Sequence, residues 1–166
     1  SVMGAYNRVY GESASASSLL LQKTLRERWG FQGYVVSDCD SIEDIYKHHG
    51  IVSTAAEAAA LGVKRGCDLD CGKTYDALLP AVQQGLVGEA EIDAAVRRLM
   101  LTRMQLGTFD PPERVRWAQI PYSVNQSPAH DALARRAAQS SIVLLKNDGV
   151  LPLSRVSGDC TLPVRH

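Results

Sequence analysis

Gly33-Tyr34-Val35-Val36-Ser37-Asp38 is the stretch on which the fold turns. A short apolar run without polar alternation, opened by glycine and closed by an acid, reads as a strand buried on both faces. That is the pattern of a parallel sheet covered by helices. Two other runs have the same form. Residues 2–6 end at Asn7, and Cys67-Asp68-Leu69 ends at Asp70, so the three end points recur about 30 residues apart. Helical patterns lie between them. Ser17-Ser18 leads into Leu19, Leu20, Leu21, Leu25 and Trp29, with Gly30 as the stop. Ser53-Thr54 leads into an alanine-rich run ending near Gly66. Strand, helix, strand, helix, strand at this spacing predicts an α/β fold built of βαβ units. A closed barrel and an open doubly wound sheet both fit, and both place function at the carboxyl ends of strands. Those ends are Tyr6-Asn7, Ser37-Asp38 and Asp70-Cys71.

Beyond Thr74 the chain reads as helical. Residues 75–86 predict one helix. Residues 89–106 predict the clearest one, with Ile92, Ala95, Val96, Leu99, Met100 and Leu106 on one face and Gly107 as its cap. Residues 108–126 hold Pro111, Pro112 and Pro121 and read as a linker. Ser127-Pro128 opens a helix running toward Ile142-Val143-Leu144-Leu145-Lys146-Asn147. Residues 155–166 read as an unstructured tail. At the other end, Ser1-Val2-Met3-Gly4-Ala5-Tyr6 enters a strand at once, with no charged leader before an apolar run, and is read as a cut through a larger protein.

The bulk numbers narrow the class. Of 166 residues, 45% are apolar and 22% charged, the balance of a globular domain with a real core. Eighteen basic and eighteen acidic side chains cancel, so nothing electrostatic calls for nucleic acid or an anionic membrane as partner. No apolar run approaches the roughly 18 residues of a membrane span. The cysteines are Cys39, Cys67, Cys71 and Cys160. No Cys-x-x-Cys pair or zinc-type spacing occurs, and neither a metal nor a cofactor is expected. Cys67 and Cys71 flank the third strand, which puts them roughly 13 Å apart, too far to bridge each other.

Gly30-Phe31-Gln32-Gly33-Tyr34-Val35-Val36-Ser37-Asp38 resembles the signature of glycoside hydrolase family 3, in which the closing aspartate is the nucleophile. Val2-Met3-Gly4-Ala5-Tyr6-Asn7 looks like the preceding barrel strand and Leu25-Arg26-Glu27-Arg28-Trp29-Gly30 like the connecting helix. Gly66-Cys67-Asp68-Leu69-Asp70-Cys71-Gly72 looks like the next strand. The run through Ile142-Val143-Leu144-Leu145-Lys146-Asn147 looks like the approach to the second domain. The resemblance implies about three βα units from the C-terminal part of a (β/α)8 TIM-like barrel in residues 1–107. A linker would follow in 108–126, and in 127–154 a helix leading toward an α/β sandwich domain. It also implies a retaining β-glycosidase. Many members carry tryptophan after the nucleophile. Cys39 stands there instead, and with Asp68-Leu69-Asp70-Cys71-Gly72 it resembles the β-xylosidase and α-L-arabinofuranosidase branch. The implied partner is a xylo- or arabino-configured oligosaccharide or aryl glycoside. The family's sugar-binding arginine, Lys-His pair and early aspartate would precede residue 1, and its acid/base glutamate belongs to the second domain. Glu12, Glu43 and Glu57 match no acid/base motif, so the piece alone is expected to be inactive.

A retaining glycosidase needs two carboxyl groups about 5–5.5 Å apart across the scissile bond. Asp38 suits the nucleophile, with the Ser37 hydroxyl placed to orient it. The plain alternative is a helix-capping aspartate. Tyr6, on the neighbouring strand end, is placed to hydrogen-bond the carboxylate and keep it ionised. Its alternative is an ordinary half-buried strand tyrosine. Cys39 and Cys71 each lie one residue past a strand end. If those strands are neighbours, the two stand about 4.8 Å apart, close to disulfide range. A bridge is expected there, beside the nucleophile, taking part of the room that tryptophan fills elsewhere and narrowing the site for a pentose. The alternative is two buried thiols. A bridge favours a secreted or periplasmic setting. Asp68 and Asp70 read as supporting hydrogen-bond acceptors rather than a catalytic pair, and Lys47-His48-His49 as a loop lining the mouth. Two other functions compete. One is a degenerate sugar-binding or structural piece of a barrel. The other is a barrel aldolase, which wants a strand-end lysine that Cys71-Gly72-Lys73 supplies poorly.

Overall fold

The computed structural model describes residues 1–152, which fall into two compact units, residues 1–116 and residues from 117 onward. The expected tail of residues 155–166, with Cys160, lies outside the described residues.

In the first unit, strand β1 (Val2–Met3) pairs in parallel with strand β4 (Val35–Val36), in the register Val2 to Val35 and Met3 to Val36. Val36 bridges in parallel to Leu69 on its other side. Three neighbouring parallel segments therefore run in chain order, with Val35 wholly buried at the centre. They are shorter than the sequence suggests. Ser37 N–H already donates to Leu69 C=O and Gly4 N–H to Val36 C=O, so the last rungs belong to turns at the strand ends. Between β1 and β4 stands a small antiparallel hairpin that the sequence pattern hides. Its strands are β2 (Arg8–Val9) and β3 (Glu12–Ser13), turned by Tyr10 and Gly11 at positive φ.

After a 3₁₀ turn at Ala14–Ala16, a wide π-type helix, Ser18–Arg28, is capped by the Ser17 hydroxyl on Leu20 N–H. Glu12 adds a second cap. Its carboxylate accepts from Ser17 Oγ and Ser18 Oγ, both at 2.7 Å, and those bonds hold its pKa below the ordinary glutamate value. The helix ends in a wide turn, with Trp29 N–H donating to Thr24 C=O, before Gly30 at φ 66. The Ala55–Arg65 helix opens on a Thr54/Glu57 capping box and closes at Gly66 in the left-handed region.

Three elements differ from the sequence reading. Residues 75–86 are not one helix. A 3₁₀ turn, Thr74–Ala77, is followed by a short helix, Leu78–Gln83, with Pro80 in its first turn, where the missing N–H breaks nothing. A helix at Ser41–Lys47 has no clear signal in the sequence because it is only seven residues long. The Glu89–Gln105 helix forms, but of its apolar face only Ala95 is buried, while Val96 and Leu106 are exposed.

Two apolar clusters hold the unit. The first joins Leu21, Leu25, Val35, Ile42, Ile45, Ala58 and Cys67 beneath the strands. The second joins Ala60, Val63, Ala81 and Val87 between helices. Gly62 lets the Ala55–Arg65 helix approach Tyr75 closely. A Cβ there would stand 2.8 Å from the Tyr75 hydroxyl and 3.2 Å from Ile42 Cδ1. Gly62→Ala is expected to cost about 1–3 kcal/mol by overpacking, despite alanine's better helix propensity. Urea unfolding measures it, and an unchanged midpoint would show that Tyr75 moves aside freely.

In the second unit, the Pro128–Ser141 helix begins as expected. Ser127 accepts from His130 N–H and proline occupies the first turn. It stops at Ser141, and Ile142 is extended. Asn147 Oδ1 gathers Gly149 N–H and Leu151 N–H into a side-chain-mediated turn. Among the described residues no helix is long and apolar enough to cross a membrane.

Candidate active site

Asp38, Tyr6, Cys39 and Cys71 converge at the carboxyl ends of the parallel strands. Asp38 is half-buried two residues past the end of β4. Its N–H donates to Gly4 C=O at 3.2 Å, and its Oδ1 accepts from Cys39 N–H at 2.8 Å. The Ser41–Lys47 helix is entered from Asp40, which sits at φ 64 without a side-chain cap, so Asp38 is not a capping aspartate. Ser37 does not orient Asp38 either. Its buried hydroxyl donates to Asp70 Oδ1 at 3.0 Å and accepts from Cys71 N–H at 2.8 Å. Side chains alternate along an extended strand, so adjacent residues 37 and 38 face opposite ways.

Tyr6 reaches over from the end of β1. Its hydroxyl donates to Cys39 C=O at 2.7 Å. Desolvation, then the charge of Asp38 and a hydrogen bond to it, raise the phenol above its ordinary pKa, with Asp40 and Asp44 adding to the effect.

Cys39 and Cys71 are joined by a disulfide, with a Cα–Cα distance of 4.2 Å. Asp40 N–H donates to Cys71 C=O at 2.6 Å, a second tie between the two loops. Asp40 Oδ1 lies 2.8 Å from where a Cβ on Gly72 would stand, so this acid is turned toward Gly72.

Asp68 and Asp70 take separate partners. Asp70 Oδ2 accepts from Tyr75 N–H, fixing the loop after the third strand. The Asp68 side chain has no solvent exposure. Its Oδ2 accepts from Arg26 Nη2 and Val35 N–H, both at 2.9 Å. Its Oδ1 takes Arg98 in a fork, Nε at 2.8 Å and Nη2 at 2.6 Å. Arg26 also donates to the carbonyls of Phe31 and Gly33. One carboxylate therefore ties β4 to the Ser18–Arg28 and Glu89–Gln105 helices. Sequence reasoning passed over Arg26 and Arg98, because nothing along the chain joins positions 26, 68 and 98.

Lys47 and His48 belong to the end of the Ser41–Lys47 helix rather than to a mouth loop. Lys47 pairs with Glu43 and His48 with Asp44, each one turn back and each at 2.5 Å. Among the described residues no group of three or more His, Cys, Asp or Glu is arranged to hold a metal ion.

Cys67, the one free cysteine among the described residues, is buried. Burial, ahead of the charges of Asp68 and Asp70, pushes its thiol up to about 12. At pH 8 only roughly one thiol in ten thousand would be ionised. Iodoacetamide is therefore expected to leave Cys67 unmodified in the folded protein and to alkylate it only after unfolding, as read by peptide mass. Rapid native labelling would contradict the buried placement.

Residues 1–102 match the model for the glycosyl hydrolase family 3 N-terminal domain. The chain belongs to glycosyl hydrolase family 3. A probable exo-1,4-β-xylosidase of Aspergillus terreus is 44% identical over 158 residues, which are 93% of this chain and 21% of that protein. A xylan 1,4-β-xylosidase of Xylanibacter ruminicola is 40% identical over 157 residues, 93% of this chain and 18% of that protein. A solved family 3 exo-β-xylosidase, in complex with a xylobiose aziridine activity-based probe, aligns with a TM-score of 0.80 at 36% identity. The alignment covers 93% of this chain and 20% of that one. The chain thus spans about a fifth of the length of these relatives. These neighbours and the parallel strands flanked by helices fit a TIM-barrel-like α/β fold.

Proposed function

We propose that this chain supplies the nucleophile of a retaining β-xylosidase, with Asp38 as the attacking carboxylate and Tyr6 beside it in the sugar site. The observation that carries the reading is the placement of Asp38. It is half-buried at the carboxyl end of β4, with Cys39 N–H on one oxygen and the Tyr6 hydroxyl close by. In a retaining reaction the carboxylate attacks the anomeric carbon as the aglycone oxygen leaves with a proton from a general acid. Water, deprotonated by the same acid/base group, then cleaves the glycosyl ester.

On this reading residues 1–107 are the C-terminal part of the barrel, 108–126 the linker, and 127–154 the approach to an α/β sandwich domain. That second domain carries the acid/base glutamate. The substrate is a xylo- or arabino-configured oligosaccharide or aryl glycoside. Support for a pentose comes from the Cys39–Cys71 bridge beside the nucleophile, which occupies room at the site, and from the β-xylosidase relatives. The same bridge favours secretion or a periplasmic setting. The chain alone has negligible activity on this reading, because general acid catalysis is typically worth about 10²–10⁴-fold.

Mechanism-based labelling tests the assignment. Fluorine at C2 of a xylosyl fluoride slows both steps, while fluoride as leaving group keeps the first fast enough to trap the ester. The full-length protein carrying this chain is expected to gain one fluoroxylosyl group on the peptide containing Asp38. A label on another carboxylate, or steady turnover without labelling, overturns it.

A further inference from the structure

Ser15 lies in the 3₁₀ turn Ala14–Ala16, just after the hairpin. Ser15 and Ser41 are both wholly buried, and their hydroxyls meet at 2.6 Å. Ser15 Oγ also donates to Ala5 C=O at 3.4 Å. Ser15 packs directly on the residue that follows β1. A Cβ on Gly4 would stand 2.5 Å from Ser15 Oγ and 3.1 Å from Ser15 Cα. Gly4 and Ser41 are the two residues that hold the backbone of Asp38. Gly4 C=O accepts from Asp38 N–H at 3.2 Å, and Ser41 N–H donates to Asp38 C=O at 3.0 Å. We propose that Ser15 is a positioning residue for the nucleophile. It sets the spacing between the end of β1 and the start of the Ser41–Lys47 helix, and Asp38 is hung across that spacing.

The inference rests on the reading of Asp38 as nucleophile. The residues on either side of Asp38 are held from the opposite direction. Ser37 N–H donates to Leu69 C=O and Asp40 N–H to Cys71 C=O, both on the third strand segment or the loop after it. Asp38 N–H turns instead toward Gly4, so the nucleophile is held from the side that Ser15 supports. The two backbone bonds that survive a change at Ser15 do not keep Asp38 where it stands. They carry the displacement to it, because they end on Gly4 and Ser41. A close-packed interior leaves little slack to absorb such a shift. Attack on the anomeric carbon needs the carboxylate oxygen about 3–3.5 Å away and aligned, and a misplacement of roughly 1 Å can cost about 100-fold. Half of that displacement corresponds to about tenfold.

The experiment uses the full-length protein and its inactivation by 2-deoxy-2-fluoroxylosyl fluoride. The maximal rate constant reports the attack, and the half-saturating concentration reports binding. In Ser15→Ala the maximal rate constant is expected to fall about tenfold while the half-saturating concentration stays within about twofold. The same variant strands the buried Ser41 hydroxyl and should lower the Tm. Ser15→Ala combined with Ser41→Ala strands neither hydroxyl, so its Tm should return toward wild type while the attack stays slow. If the single variant folds poorly, the double variant decides alone. A merely structural role for the pair gives a different pattern. The rate constant per folded enzyme would then be unchanged in the single variant, or would recover with the Tm in the double one. Either result, with Asp38 still labelled, overturns this inference and leaves the nucleophile standing. A wild-type protein that is never labelled at Asp38 overturns the underlying reading instead.

Discussion

Asp38→Ala in the full-length protein is expected to lower kcat on an aryl xyloside by about 10⁴-fold or more, the scale on which covalent nucleophiles act. The argument is geometric. Asp38 is set at the carboxyl end of β4, its oxygen fixed by Cys39 N–H and its backbone by Gly4 C=O. Alanine keeps the backbone bond to Gly4 C=O and loses the Cys39 N–H contact with the carboxylate, while the disulfide still holds Cys39, so the loop persists without the attacking group. The decisive measurement is rescue. Azide is small enough to enter the space vacated by the carboxylate. With a dinitrophenyl leaving group, which departs without protonation, it should restore turnover and yield the α-xylosyl azide, inverted at C1. Loss of activity without rescue in a properly folded protein, or a β-configured azide, would count against Asp38 as nucleophile.

Asp68→Ala is expected to destabilise the protein by about 3–5 kcal/mol, the range for removing one partner of a buried ion pair. The Asp68 side chain is wholly buried, while Arg26 and Arg98 keep 20% and 30% of their side-chain exposure. Losing the carboxylate strands two partly buried guanidinium groups and leaves Val35 N–H without its acceptor in the centre of the sheet. Arg98→Met should cost less, because Arg26 and Val35 still neutralise and satisfy Asp68. The triple change to apolar residues at positions 26, 68 and 98 should recover part of the loss, since it strands no charge. Denaturant unfolding of all three variants checks the order. An Asp68→Ala protein within 1 kcal/mol of wild type would show that the clamp is ornamental.

Particular residues show how far the chain could be read before its structure. Tyr34-Val35-Val36 declared a buried parallel strand because no polar residue interrupts it, and β4 pairs in parallel with β1. Ser127-Pro128 and Thr54 announced helix starts through caps that need only local geometry. The hairpin at Arg8–Ser13 was not legible, since two-residue strands have no period to detect. The Ser41–Lys47 helix, at seven residues, is too short to show a clear helical period. Within the candidate site, the positions of Asp38 and Tyr6 followed from strand ends. The partner of the Ser37 hydroxyl did not, because Asp70 lies on another strand.

What the amino-acid order determined by itself is local and periodic: strand and helix starts, the acid at the end of β4, and membership of a family whose motif is contiguous. What only the tertiary structure decided is every choice among competing long-range partners. Asp68 took Arg26 and Arg98, Asp70 took Ser37, and the Tyr6 hydroxyl took Cys39 C=O. The reason is that a hydrogen bond depends on distances of a few tenths of an ångström between groups dozens of residues apart, and periodicity along a chain contains no such distances.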